Sequence, residues 1–324
     1  MSGHIPKILT IGKATQDVFL TSDEFDPHTE GKVVYTHLPL GVKMEVGSVT
    51  FATGGNASNV AVTLARQGLQ VEYMWTLGYD PASETILREL DEENVSSPAV
   101  VRHAKYQAGY STILIATNGE RTILNHRGVS TNAQGTDLDM ERIAAADWVY
   151  PSSLANGGID LLEKIVTKAE ASGTKVMLNP AGPELAHPRK LKSILEGVEI
   201  LCVNKEELKL IVEGETLEEL VRHAIHLAPV VIASDGPRGV VASDGKTIVK
   251  AGMYQDVKVV DRTGAGDAFA SGFLSQWAQG KSLKDSIVFA SANSTSVVTK
   301  IGAKAGILHH SVKLHDMPLH EKAF

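Results

Sequence analysis

The densest run of chemically capable residues is Asp261-Arg262-Thr263-Gly264-Ala265-Gly266-Asp267-Ala268-Phe269. Two glycines one alanine apart let the backbone approach a ligand closely. A helix is expected to follow, with apolar Phe269, Phe273, Leu274 and Trp277. Its first turn carries unpaired N–H groups and the positive end of the dipole, which suits a phosphate or a developing oxyanion. Asp267 stands in that turn, where the same field favours the ionised form. A carboxylate beside an anion-binding loop is what activation of a hydroxyl in phosphoryl transfer needs. A glycine turn with an aspartate at a helix terminus accounts for the same residues without chemistry.

Three further segments offer weaker chemistry. Thr53-Gly54-Gly55-Asn56-Ala57-Ser58-Asn59 frees the backbone before a helix, and its asparagines donate and accept, which suits a polyhydroxyl ligand. An ordinary N-cap reads it equally. Asn204-Lys205-Glu206-Glu207 follows an expected strand, and ligands in open α/β sheets bind beyond the carboxyl ends of strands. Asn204 and Glu207, three apart, suit Mg²⁺ held through waters, or a capping box. Ser234-Asp235-Gly236-Pro237-Arg238-Gly239 reads as a nucleotide cradle or a tight turn.

Other chemistries lack their signatures. Gly280-Lys281-Ser282 and Gly245-Lys246-Thr247 have no leading glycine of a phosphate loop, and no Gly-x-Gly-x-x-Gly follows the first strand. No Gly-x-Ser-x-Gly elbow occurs. His223 and His226 have no partner at metal-site spacing, and the single cysteine, Cys202, excludes disulfide frameworks and multi-cysteine metal sites. With 31 Lys+Arg against 38 Asp+Glu and no basic run, the 324-residue chain does not look like a nucleic-acid binder. No apolar run reaches the roughly 18–20 residues of a membrane span, and the start lacks a secretory layout. A soluble cytoplasmic protein is expected, with 43% hydrophobic residues to build its core.

These residues need elements to position them. Short apolar runs at 7–12, 71–77, 148–150, 175–178, 199–203 and 229–233 alternate with helical patterns at 57–67, 82–92, 159–171, 189–195 and 217–227. That alternation predicts βαβ units and a mostly parallel sheet. Residues 17–51 and 100–125 break the rhythm, and Asn118-Gly119 between apolar runs signals a hairpin. Together they predict a small antiparallel sheet. Later come strands at 239–242 and 247–250, an apolar strand at 257–260, and helices at 265–279 and 283–299.

The four segments in this order resemble the ribokinase-like (PfkB) carbohydrate kinases over nearly the whole chain. Gly54-Gly55-Asn56-Ala57-Ser58-Asn59-Val60-Ala61 is similar to the family's N-terminal signature, and residues 261–269 to its C-terminal one. Asn204-x-x-Glu207, residues 12–17, and Val298-Thr299-Lys300-Ile301-Gly302-Ala303 match further family segments. The resemblance implies an α/β fold with a mostly parallel central sheet, helices on its faces and a small β-sheet lid. Residues 1–16, 52–99 and 126–324 would form the nucleotide-binding domain, and 17–51 with 100–125 the lid.

It further implies ATP- and Mg²⁺-dependent phosphorylation of a sugar hydroxyl. Asp267 would be the base, and the Gly264, Ala265 and Gly266 amides the anion hole. Asp17, Gly54, Gly55 and Asn59 would hold the sugar. Ser234, Gly236, Gly239, Asn204 and Asn293 would line the ATP side. Asn204 and Glu207 would organise Mg²⁺, while Asp261 and Ala303 would contribute to a potassium site. Homodimers pairing through the lid are expected. A nucleoside kinase, with Tyr106 and Tyr110 to stack on a base, and a catalytically silent binding protein are the alternatives. Arg262 departs from the family's usual threonine, and Asn56 stands where some sugar kinases carry lysine. Arg121 and Arg127 suit either an anionic acceptor or solvent.

Overall fold

The apolar runs line up side by side. A computed structural model of the chain describes residues 4–128, 138–154, 157–254, 257–314 and 316–324; of the opening segment, residues 1–3 lie outside these. One sheet runs in the order Leu319–Ala323, Thr247–Ala251, Val240–Ser243, Val230–Ser234, Ile200–Asn204, Lys175–Leu178, Trp148–Ser152, Lys7–Gly12, Gln70–Met74. The last six in that order are parallel neighbours. Their near-continuous apolar composition is what burial on both faces demands. Leu9, Val149, Val176, Leu201 and Val231 are all essentially inaccessible. The remaining three strands pair antiparallel.

Parallel connection puts the carboxyl ends of six strands on one edge of the sheet. Gly12 pairs with Ser152, and Asn204 with Ser234, so these residues share that edge. It is also where the first-turn ends of two helices meet. Asn56–Arg66 enters from Gly55, and Ala265–Trp277 from Gly264.

A second, four-stranded sheet is ordered Arg121–His126, Gly109–Ile115, Thr15–Thr21, Ser48–Gly54. The hairpin at Asn118-Gly119 forms, with Ile115 opposite Arg121 and Gly119 at φ +84°. The sheet is not purely antiparallel as expected: Thr15–Thr21 and Gly109–Ile115 are parallel. Parallel neighbours need a long crossover, and here the connecting chain includes the helix Asn56–Arg66 and the strand Gln70–Met74 of the first sheet, where no local turn signal marks it.

Three other expectations change. The run 71–77 divides into Gln70–Met74 and Thr76–Leu77, the latter pairing with Val101–Arg102. Residues 257–260 form no strand. Val260 N–H instead bonds the Val298 carbonyl (2.7 Å), at the end of the helix Leu283–Val297. The strand Leu319–Ala323 was not expected. Its His-Glu-Lys centre is the polar composition of an exposed edge. Among the described residues, no helix is long and apolar enough to cross a membrane.

Candidate active site

Gly264 has φ +77°, and a Cβ there would lie 2.4 Å from that of Ala303. Only glycine tolerates both the left-handed backbone and that approach. The chain therefore turns sharply into the helix, leaving Gly266 and Asp267 in a first turn whose N–H groups lack helical partners. A Cβ on Gly266 would meet nothing within 4 Å, so the space before the turn is open.

Asp267 is buried, yet both its oxygens are held. Asn56 Nδ2 donates to Oδ1 (2.9 Å) and Asn59 Nδ2 to Oδ2 (2.8 Å). Gly55, at φ +92°, makes this possible: a Cβ there would lie 2.6 Å from Ala14 Cα and the Lys13 carbonyl. Its freedom lets the first helix start against the end of the first strand. Burial pushes the Asp267 carboxyl above its usual value, opposed by the two asparagines and by the Lys13 ammonium. Asn56 is itself oriented by Ser153, whose hydroxyl donates to Oδ1 (3.0 Å). Asn59 Oδ1 is buried without a protein hydrogen-bond partner.

Asp17 lies on the inner face of the small sheet, also buried. Its Oδ2 would be 2.2 Å from a Cβ on Gly54, and Thr15 donates to its Oδ1 at 3.3 Å. Burial raises its pKa, while Ser111, Thr15, Lys304 and Lys13 pull it down. Lys13 thus acts on both buried carboxylates, a cation with no role expected from the sequence although it lies inside the segment 12–17.

A cavity of about 430 Å³ opens on the other side of the turn. Ser234, Gly236 and Gly239 line it together with Ala265 and Gly266, so segments 30 residues apart in sequence meet in one pocket. Arg262, Met253, Val257, Val259, Phe269, Thr295 and Val298 complete much of the wall. Val257 and Val259 belong to the apolar run that suggested a strand; they line the pocket instead.

Asn204 and Glu207 form a reciprocal cap. Asn204 Oδ1 accepts from Glu207 N–H (2.9 Å), and Glu207 Oε2 from Asn204 N–H (2.8 Å). The single side-chain oxygen of Asn204 and one of the two on Glu207 are thus engaged, and burial raises the Glu207 pKa. Asn293 needs correction as a nucleotide ligand. It is fully buried, donating to the Ala268 carbonyl (2.8 Å) and accepting from Leu308 N–H (2.9 Å). Its neighbours Ser294 and Thr295 line the pocket instead. Arg121 does not face an acceptor: its guanidinium pairs with Asp261. Cys202 is a buried core residue, its thiol pushed up to about 12 by burial. Among the described residues, no group of three His, Cys, Asp or Glu could hold a metal ion.

Comparison with known proteins gives the family and the fold. Residues 6–310 match the model of the pfkB family carbohydrate kinases. A ribokinase from Haemophilus influenzae is 26% identical over 268 residues, 79% of this chain and 84% of the relative. An ATP-dependent ribose-1-phosphate kinase from Halopiger xanaduensis is 26% identical over 299 residues, 92% and 94% of the two chains. The structure of Arabidopsis thaliana ribokinase complexed with ribose and ATP superposes with a TM-score of 0.76 at 20% identity, covering 95% and 97%. With the family model spanning almost the full length and the fold the same, this chain belongs to the pfkB family of carbohydrate kinases, phosphotransferases that act on an alcohol group.

Proposed function

We propose that the protein transfers the γ-phosphoryl group of ATP to a hydroxyl of a small sugar, with Asp267 as the base. The observation carrying this reading is the position of Asp267. It lies between the Asn56–Asn59 pair on one side and the first turn beside the 430 Å³ pocket on the other, where the Ala265 N–H bonds the Arg262 carbonyl (3.3 Å). ATP would occupy that pocket, its adenosine against Val257, Val259 and Val298 and its phosphates toward Ser234, Gly236, Gly239 and the turn. The sugar would lie between Asp17 and Asn59, beside Gly54 and Gly55. Asn59 Oδ1, buried and unpartnered, suits a sugar hydroxyl as donor.

In the reaction, Asp267 accepts the proton of the attacking hydroxyl. The new O–P bond forms as the bond from Pγ to the β,γ-bridging oxygen breaks, and ADP leaves with that electron pair. The Gly264, Ala265 and Gly266 amides would stabilise charge on the transferring group, where preorganised donors matter most. Asn204 and Glu207 suit Mg²⁺, which keeps most of its shell as water and phosphate and needs few protein ligands. When bound, the ion neutralises charge on the β- and γ-phosphates. The lid expected of residues 17–51 and 100–125, built around the four-stranded sheet, would exclude competing water.

The relatives' activities make ribose and ribose 1-phosphate the first acceptors to try. A nucleoside acceptor is less well served, because Tyr106 is stacked on His103 with ring centroids 4.2 Å apart. The test is ADP release from ATP·Mg²⁺ across pentoses, hexoses, sugar phosphates and nucleosides. Turnover with one sugar class is expected. Tight ATP and sugar binding with no ADP release from any acceptor would instead favour a catalytically silent binding protein.

A further inference from the structure

Asp261 begins the turn segment, and its carboxylate is held by four donors. Oδ1 accepts from the Thr263 N–H (3.0 Å), the Thr263 hydroxyl (2.7 Å) and the Arg121 guanidinium; Oδ2 accepts from Gly302 N–H (3.0 Å). An ionised carboxylate offers about two lone-pair sites on each oxygen; three donors crowd Oδ1, while Oδ2 holds one. The guanidinium also brings a permanent positive charge into contact. The expected potassium site at Asp261 and Ala303 therefore does not fit this chain. A second cation at this carboxylate would meet the permanent charge of Arg121, already paired with it.

Strand register explains how Arg121 arrives there from 140 residues away. Arg121 pairs with Ile115, which pairs with Thr21, two residues on from Phe19 and four from Asp17. Residues directly opposite share a face, and alternate residues return to it. Arg121 is thus on the Asp17 face, toward the large domain. Against that face packs the tail segment, where a Cβ on Gly302 would lie 3.3 Å from that of Ala52.

Resting on the kinase reading above, we propose that Arg121 is a tethered substitute for a monovalent cation. It neutralises Asp261 and positions the turn that leads to Gly264, so phosphoryl transfer does not depend on potassium. Because Arg121 rides on the outer strand of the small sheet, that sheet and the turn are joined by one ion pair. Arg121 acts through Asp261 and is a positioning residue, not one that touches substrate.

The test compares turnover and melting temperature of the full chain in potassium chloride and in choline chloride at equal ionic strength. The unaltered protein should give the same kcat and Tm in both. Arg121→Ala should lose about tenfold in kcat in choline, a typical loss for a buried charge left unpaired, and recover with potassium. Arg121→Lys, which keeps a cation, should stay indifferent to the salt. Stimulation of the unaltered enzyme by potassium would overturn the proposal. So would an Arg121→Ala variant as fast and as stable as the parent in choline. If no acceptor turns over at all, the kinase reading fails separately. Melting then decides this inference: potassium should stabilise Arg121→Ala and not the parent, and the reverse pattern would refute it.

Discussion

Asp267 is under two opposed influences, and their balance sets the pH range in which it can act as a base. Burial raises its pKa, while Asn59, Asn56 and Lys13 favour the ionised form. A base must be ionised, so kcat should fall as pH drops through that raised value, at a higher pH than for an ordinary aspartate. Removing a donor to the carboxylate should move this acid limb further up. A hydrogen bond to a charged group is worth about 1.5–3 kcal/mol, so Asn59→Ala should shift the limb up by about one to two pH units. The measurement is the pH profile of kcat at saturating sugar. An unmoved limb would mean that Asn59 does not tune the base. At this scale much was legible: the two glycine motifs named Asn56, Asn59 and Asp267, which the structure brings to one place. What the sequence hid is that Asn56 and Asn59 bond directly to Asp267 across 211 and 208 residues, and that Asn293 is spent on the core. No local pattern encodes either.

Among the elements, the strand ends and helix starts divide the work. Asn204 ends one parallel strand beside Ser234 at the end of the next, and Glu207 caps the helix between them. The cap explains the Asn-x-x-Glu spacing without any ion, so the spacing alone could not separate the two roles. Glu207→Gln separates them. Glutamine keeps the capping bond and removes the charge, so the fold should persist while the Mg²⁺ concentration for half-maximal rate rises severalfold. An unchanged Mg²⁺ titration with unchanged melting would leave capping as its sole role. The strand runs of the large sheet were readable because burial on both faces gives continuous apolar composition. The parallel pairing inside the small sheet was not, since pairing between distant segments leaves no mark on either one.

For the whole molecule, the small sheet has two unlike faces. The inner one carries Asp17, Phe19 and Arg121. The outer one carries Val49, Phe51 and Leu124, aligned by register with Val18 and Leu20. Phe51 is 70% exposed and Leu124 56%. Exposed apolar surface on one face marks an association site, and a second copy of this chain is the occupant we expect. Light scattering should give a dimer, and Phe51→Glu should convert it to monomer with Tm little changed. A parent that is monomeric at working concentration would remove this expectation.

The central claim is that a buried carboxylate at the start of the helix Ala265–Trp277 takes the acceptor's proton. The most direct measurement is kcat of Asp267→Asn on the best acceptor, alongside binding of ATP and sugar. Asparagine keeps the size and accepts a hydrogen bond but cannot take the proton. Turnover should fall by about 10²–10⁴-fold, the usual contribution of a general base, with both ligands still bound. A variant that turns over within a few fold of the parent would contradict the account.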